Sequence, residues 1–189
     1  MPDLNPHNIL NTILHHLEVP ATFIPGSLLL GGAAWWLAPR RGWARASAVL
    51  AGCGLALALA LTVVRPIGRF PAGGLNPLET LRQCMVGSLS LGQLYEQLNV
   101  AMLIPFAVFG TLAIRRRPLI IAASCVLVSG FVEFVQGATG GGQCQVRDLV
   151  HNTAGAVLGV LLAVVVLRLR GRRSRGITAD VGAGSGSLR

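Results

Sequence analysis

The chain alternates long apolar stretches with short polar breaks. Apolar residues fill 21–37, 46–64, 98–114, 119–135 and 149–167 with few interruptions, and each stretch has 17 to 19 residues. A helix needs about 20 such residues to cross a hydrocarbon core about 30 Å thick, so the pattern predicts an all-α bundle of five transmembrane spans. Trp35 and Trp36 close the first span, at the level where interfacial aromatic belts sit. Ahead of it, Ile9, Leu10, Ile13, Leu14 and Leu17 recur at helical spacing, with His7, Asn11 and His15 elsewhere on the wheel. That pattern fits an amphipathic segment over 1–20 lying on the membrane surface, or a frayed polar terminus. It has no basic leading region, so no signal cleavage is expected there.

The polar breaks are unequal. The longest, 65–97, opens with Pro66, Pro71, Gly73-Gly74 and Asn76-Pro77, which predict turns, and then offers short surface helices over 78–85 and 91–98. The loop 137–147 is glycine-rich. Beyond Arg175 the chain turns to Gly, Ser and Ala, which predicts disorder. The organisation expected is 1–20 as a surface segment, 21–168 as the bundle, and 169–189 as a basic and then disordered tail.

Composition supports a membrane protein. Mean hydropathy is +0.63, 52% of residues are hydrophobic and 12% are charged, against roughly a quarter charged in soluble domains. The net charge of +9 is carried by arginine alone, because the chain has no lysine. Aromatics are only 5% and do not interleave with the basic stretches, which disfavours a nucleic-acid partner. The distribution of arginine is more telling than its number. Arg40, Arg41, Arg45, Arg115, Arg116, Arg117, Arg168, Arg170, Arg172, Arg173 and Arg175 fall on one side of the five spans. Arg65, Arg69, Arg82 and Arg147 fall on the other. Arginine is retained on the cytoplasmic side, so the amino terminus is expected outside and the carboxyl terminus inside a multi-pass protein of the cell membrane. Membrane lipid is the partner this implies; the pattern does not set an oligomeric state.

Two of the four cysteines, Cys53 and Cys125, lie within spans two and four. Cys84 and Cys144 lie in the two outer loops. In an oxidising space these two form a disulfide or stay as two free thiols. No histidine stands at zinc-ligand spacing from either, so no metal or other cofactor is expected.

The chemistry-bearing residues gather around the fourth and fifth spans. Glu133 and Gln136 share a helix face near the outer end of span four. Asp148 opens span five, where it can cap free N–H groups, and Asn152 follows one turn below. Gly155 and Gly159 continue that stripe as a Gly-x-x-x-Gly pair, which favours close helix packing. Asn99, with Glu96 before it, reaches the same depth from span three. An acid inside a lipid-facing segment costs up to roughly 2.5–3.5 kcal/mol at full depth, so Glu133 is a site candidate. Its alternative is a buried pair with Arg147 or Asn152. His151 is assigned an interfacial position and no chemistry.

The run Glu133-x-x-Gln136, a variable loop, then Asp148-x-x-x-Asn152-Thr153-x-Gly155-x-x-x-Gly159 resembles the signature of the VanZ-like family of membrane proteins. Asn99, Pro105 and Gly110 resemble that family's stretch in an earlier helix, so the likeness covers 99–162. Family members carry an arginine several residues before the aspartate, near Gly142 or Gln143 here, whereas this chain has Arg147 directly before Asp148. The resemblance implies action at the outer face of the cell envelope; the namesake lowers susceptibility to teicoplanin-type glycopeptide antibiotics. On that reading Asn99, Gln136, Arg147 and Asn152 bind a glycopeptide or a lipid-linked envelope precursor. The competing readings are an enzyme using Glu133 or Asp148 as acid and base on a lipid-linked substrate, and a transport or structural subunit. No activated serine or cysteine nucleophile supports the enzyme, and no inverted repeat supports the transporter.

Overall fold

A computed structural model describes residues 18–63, 76–82, 84, 87, 89–115 and 117–184. The expected amphipathic segment therefore lies almost wholly outside the described residues, as do the first turns of the long loop. Among the described residues seven helices follow in order: α1 (Glu18–Arg41), α2 (Arg45–Thr62), α3 (Pro77–Arg82), α4 (Leu94–Met102), α5 (Ile104–Ile114), α6 (Pro118–Thr139) and α7 (Val146–Gly184). Five spans are long and apolar enough to cross a membrane: Glu18–Arg41, Arg45–Thr62, Tyr95–Ile114, Pro118–Thr139 and Val146–Gly171.

The third span departs from the continuous helix its apolar run predicts. It consists of α4 and α5, separated at Leu103. Pro105 explains the break: it has no N–H for the carbonyl four residues back, and its ring disfavours helical geometry just before it. The Leu103 side chain turns into the core at the break. At the other end of the span, helix begins at Leu94 rather than at the apolar edge near 98. Gln93 and Glu96 form a capping box there, which draws the first turn and its glutamate into the span. The short helix expected over 78–85 is confined to Pro77–Arg82. α7 continues in the backbone to Gly184, past Arg175; no proline follows Pro118, and arginine and alanine propagate a helix well.

α5 lies between α2 and α7, α6 packs on α7 and more lightly on α5, and α1 packs along α2. The core cluster of Ala58, Leu103, Ala107, Ile121, Cys125, Ala156 and Val160 joins α2, α5, α6 and α7. Small residues set these distances. α2 buries Ala48, Ala51, Ala56, Ala58 and Ala60 along with Gly52 and Gly54. The outward faces carry Leu28, Leu29, Leu119, Leu127, Leu158, Leu161 and Leu162. In lipid that exposure carries no hydrophobic penalty.

The helices give the bundle two chemically different ends. Arg40, Arg41, Arg45, Arg115, Arg117, Arg168 and Arg170 stand exposed at one. At the other, a disulfide joins Cys84 to Cys144 with a Cα–Cα distance of 4.5 Å, well within bridging range. It ties the chain after α3 to the loop between α6 and α7.

Candidate functional site

The disulfide end is built from three helix termini: the start of α4, the end of α6 and the start of α7. The register of α4 against α7 is fixed by glycine. A Cβ on Gly155 would lie 1.7 Å from the carbonyl oxygen of Val100. One turn further, a Cβ on Gly159 would lie 2.8 Å from the Ala107 Cβ and 3.0 Å from the Ile104 carbonyl oxygen. Helices this close leave room only for glycine, and two parallel helices in this register place Glu96 opposite His151, one turn above the Val100–Gly155 contact.

Glu96 is 1% exposed, and its carboxylate is held from three directions. Oε2 accepts the Gln93 backbone N–H at 2.9 Å, completing the cap of α4. Oε1 accepts the Ser90 hydroxyl at 2.7 Å and Nη1 of Arg147 at 3.2 Å. Arg147, whose side chain is 13% exposed, has further partners. Its Nη2 donates to the Gln145 Oε1 at 2.6 Å and the Tyr95 hydroxyl at 3.3 Å. The guanidinium lies 5.3 Å from the Tyr95 ring centroid, within cation–π range. Its Nε faces the Asp148 Oδ1 at 3.7 Å. Gly87 packs over the same guanidinium, 3.5 Å from where its Cβ would stand.

Glu133 and Gln136 are buried on the neighbouring α6 and serve different neighbours. Glu133 Oε2 accepts the Gln145 backbone N–H at 2.9 Å, just before α7 begins. Gln136 Nε2 donates to the Thr62 carbonyl at 2.9 Å, at the end of α2. A Cβ on Gly142 would meet the Gln136 Oε1 at 2.9 Å, so the loop after α6 folds tightly over this amide. Asn152 lies deeper and donates from Nδ2 to the Ser129 hydroxyl at 2.9 Å.

Arg147 thus meets both Glu96 and Asp148, and Glu133 joins them through Gln145. The network Glu133–Gln145–Arg147–Glu96 crosses from α6 through α7 to α4. Asn152 sits one turn below it. Gln136 reaches α2, and Asn99, half-buried on α4, makes no hydrogen bond within this network. Arg147 takes Glu96 and Asp148 as its carboxylate partners. Tyr95 joins the site unannounced by any sequence pattern, whereas Glu96 and His151, noted only for depth and position, prove central to it. Glu96 had a signal in its capping spacing from Gln93. His151 is only 6% exposed instead of interfacial, since the α4–α7 register carries it inward. Among the described residues, its Nδ1 and the Asn152 Oδ1 are buried without a hydrogen-bond partner. The Arg147 Nε is likewise buried without a hydrogen bond, and such atoms are what a ligand or water can satisfy.

Comparison with known proteins gives one family. The model described as VanZ/LLP1 matches residues 60–168, more than half of the 189, running from the end of α2 to the basic turn of α7. No curated protein and no solved structure matches.

Proposed function

The chain belongs to the VanZ/LLP1 family, and from that premise we propose that it acts at the outer face of the cell membrane through the disulfide end of its bundle. There it binds a polar group of a cell-envelope component and so alters how glycopeptide antibiotics of the teicoplanin type reach their target. Two independent features support the orientation. A disulfide persists in an oxidising compartment, which favours Cys84–Cys144 outside. The arginine excess lies at the opposite end, which favours that end in the cytoplasm.

The observation that carries the binding role is the largely enclosed Glu96–Arg147–Asp148 group above the unpartnered His151 Nδ1 and Asn152 Oδ1. Ion pairs inside a membrane bundle are costly to build and mark pathways and ligand sites more often than scaffolding. In this reading Asp148 and Asn152 contact the ligand. Glu133 and Gln136 hold the α6–α7 loop and α2 in place around it.

The test expresses the parent, Glu133→Ala and Asp148→Ala in glycopeptide-sensitive cells, then measures susceptibility and binding of a labelled teicoplanin-type drug. The parent is expected to lower both, and each variant to lose the effect at equal membrane abundance. A parent that changes neither quantity overturns the proposal.

A further inference from the structure

The opposite end of the bundle carries a second surface. The α1–α2 turn and the α5–α6 turn are joined by a main-chain bond, Ala44 N–H to the Ala113 carbonyl at 3.2 Å. Beneath it Ala38, Ala48 and Ala113 pack together with Ala34 and Trp43. Two arginine-bearing turns are therefore one rigid unit, with Arg40, Arg41 and Arg45 on one and Arg115 and Arg117 on the other, all exposed. Trp36 and Trp35 brace two of these cations. The Arg40 guanidinium lies 3.8 Å from the Trp36 ring centroid and donates Nη1 to the Trp36 carbonyl at 2.8 Å. The Arg45 guanidinium lies 5.2 Å from the Trp35 ring centroid. Both rings are more than half exposed and lie two turns along the same helix face from the exposed Leu28 and Leu29.

We propose that this paired turn binds the phosphate headgroup of an anionic membrane phospholipid, with Arg40 and Arg45 held ready by the tryptophan faces and Arg115 closing the site from the second turn. Charge complementarity argues for it, because no described acidic side chain stands at this end, whereas Glu18, Glu79, Glu96, Glu133 and Asp148 all belong to the other. Side-chain chemistry argues for phosphate. Every cation is an arginine, whose planar fork matches phosphate oxygens two at a time, and stacking on a ring fixes that fork before the ligand arrives. Depth argues for a lipid over a soluble anion. Exposed tryptophan rings two turns from lipid-facing leucines lie at headgroup level, and acyl chains can follow the leucines below.

The test is native mass spectrometry of the full chain released from vesicles that mix phosphatidylglycerol with phosphatidylcholine. Phosphatidylglycerol adducts are expected to dominate, and the double variant Arg45→Gln/Arg115→Gln should reduce them by about tenfold or more. Arg82→Gln at the disulfide end should leave them unchanged. A third preparation, Arg45→Lys/Arg115→Lys, should fall between parent and the glutamine pair, since charge returns without the planar fork. Equal retention of both lipids by the parent, or parent-like adducts on the glutamine pair, overturns the proposal. So does displacement by inorganic phosphate at matched concentration, which would mark a soluble-anion site.

Discussion

The two ends of this bundle use the same cation in opposite ways. At one end seven described arginines stand exposed, two braced on tryptophan rings, with no described carboxylate among them. At the other, Arg147, its side chain only 13% exposed, is enclosed by Glu96, Asp148, Gln145 and Tyr95. The first arrangement is cheap, because each charge stays in contact with water and headgroups. The second is expensive to assemble, because a guanidinium and its carboxylates leave water together, and removal of one partner strands the other. The exposed arginines favour one orientation in the membrane, and the enclosed one marks the candidate site.

The largest break in this contrast should come from Gly155→Ala. Its Cβ would enter the Val100 carbonyl and push α4 from α7, carrying Glu96 away from Arg147. Overpacking costs about 1–3 kcal/mol and more when backbone must move, so thermal unfolding in detergent should show the upper part of that range or beyond. Cys84→Ser should follow, at about 2–4 kcal/mol. The bridge closes a separation of 60 residues, and its loss loosens the disulfide end alone. Glu96→Ala should lower the unfolding temperature further than Glu96→Gln, whose single amide oxygen still accepts the Gln93 N–H while its NH2 donates to the Ser90 hydroxyl; a double cycle with Arg147→Gln should show strong coupling between the two positions. Arg115→Gln should be the smallest, within about 0.5 kcal/mol, since an exposed arginine with no acidic partner contributes little to folding.

The same contrast separates what was legible in the sequence from what was not. Five spans were visible because lipid demands a continuous apolar face, and the loop positions of Cys84 and Cys144 made their bridge a candidate. The family motif stood out because its residues lie close in sequence on α6 and α7. What sequence concealed was mostly long-range. The Glu96–Arg147 pair spans 51 positions and the Gln136–Thr62 bond spans 74, so no local periodicity encodes either. The break at Leu103 had a visible cause in Pro105, yet the apolar run continues through it. His151 looked interfacial because it is one turn from the helix start. Only the glycine-set approach of α4 to α7 turns that position inward.

On the proposed reading the disulfide end binds the ligand and the arginine-rich end anchors the bundle. Binding of a labelled teicoplanin-type glycopeptide to cells expressing the parent, Arg147→Gln or Arg115→Gln, at matched membrane abundance, separates the two roles. Reduced drug binding is expected with the parent and with Arg115→Gln, and binding restored to that of cells lacking the protein with Arg147→Gln. Loss of the effect with Arg115→Gln while Arg147→Gln behaves as the parent would overturn the assignment of function to the disulfide end.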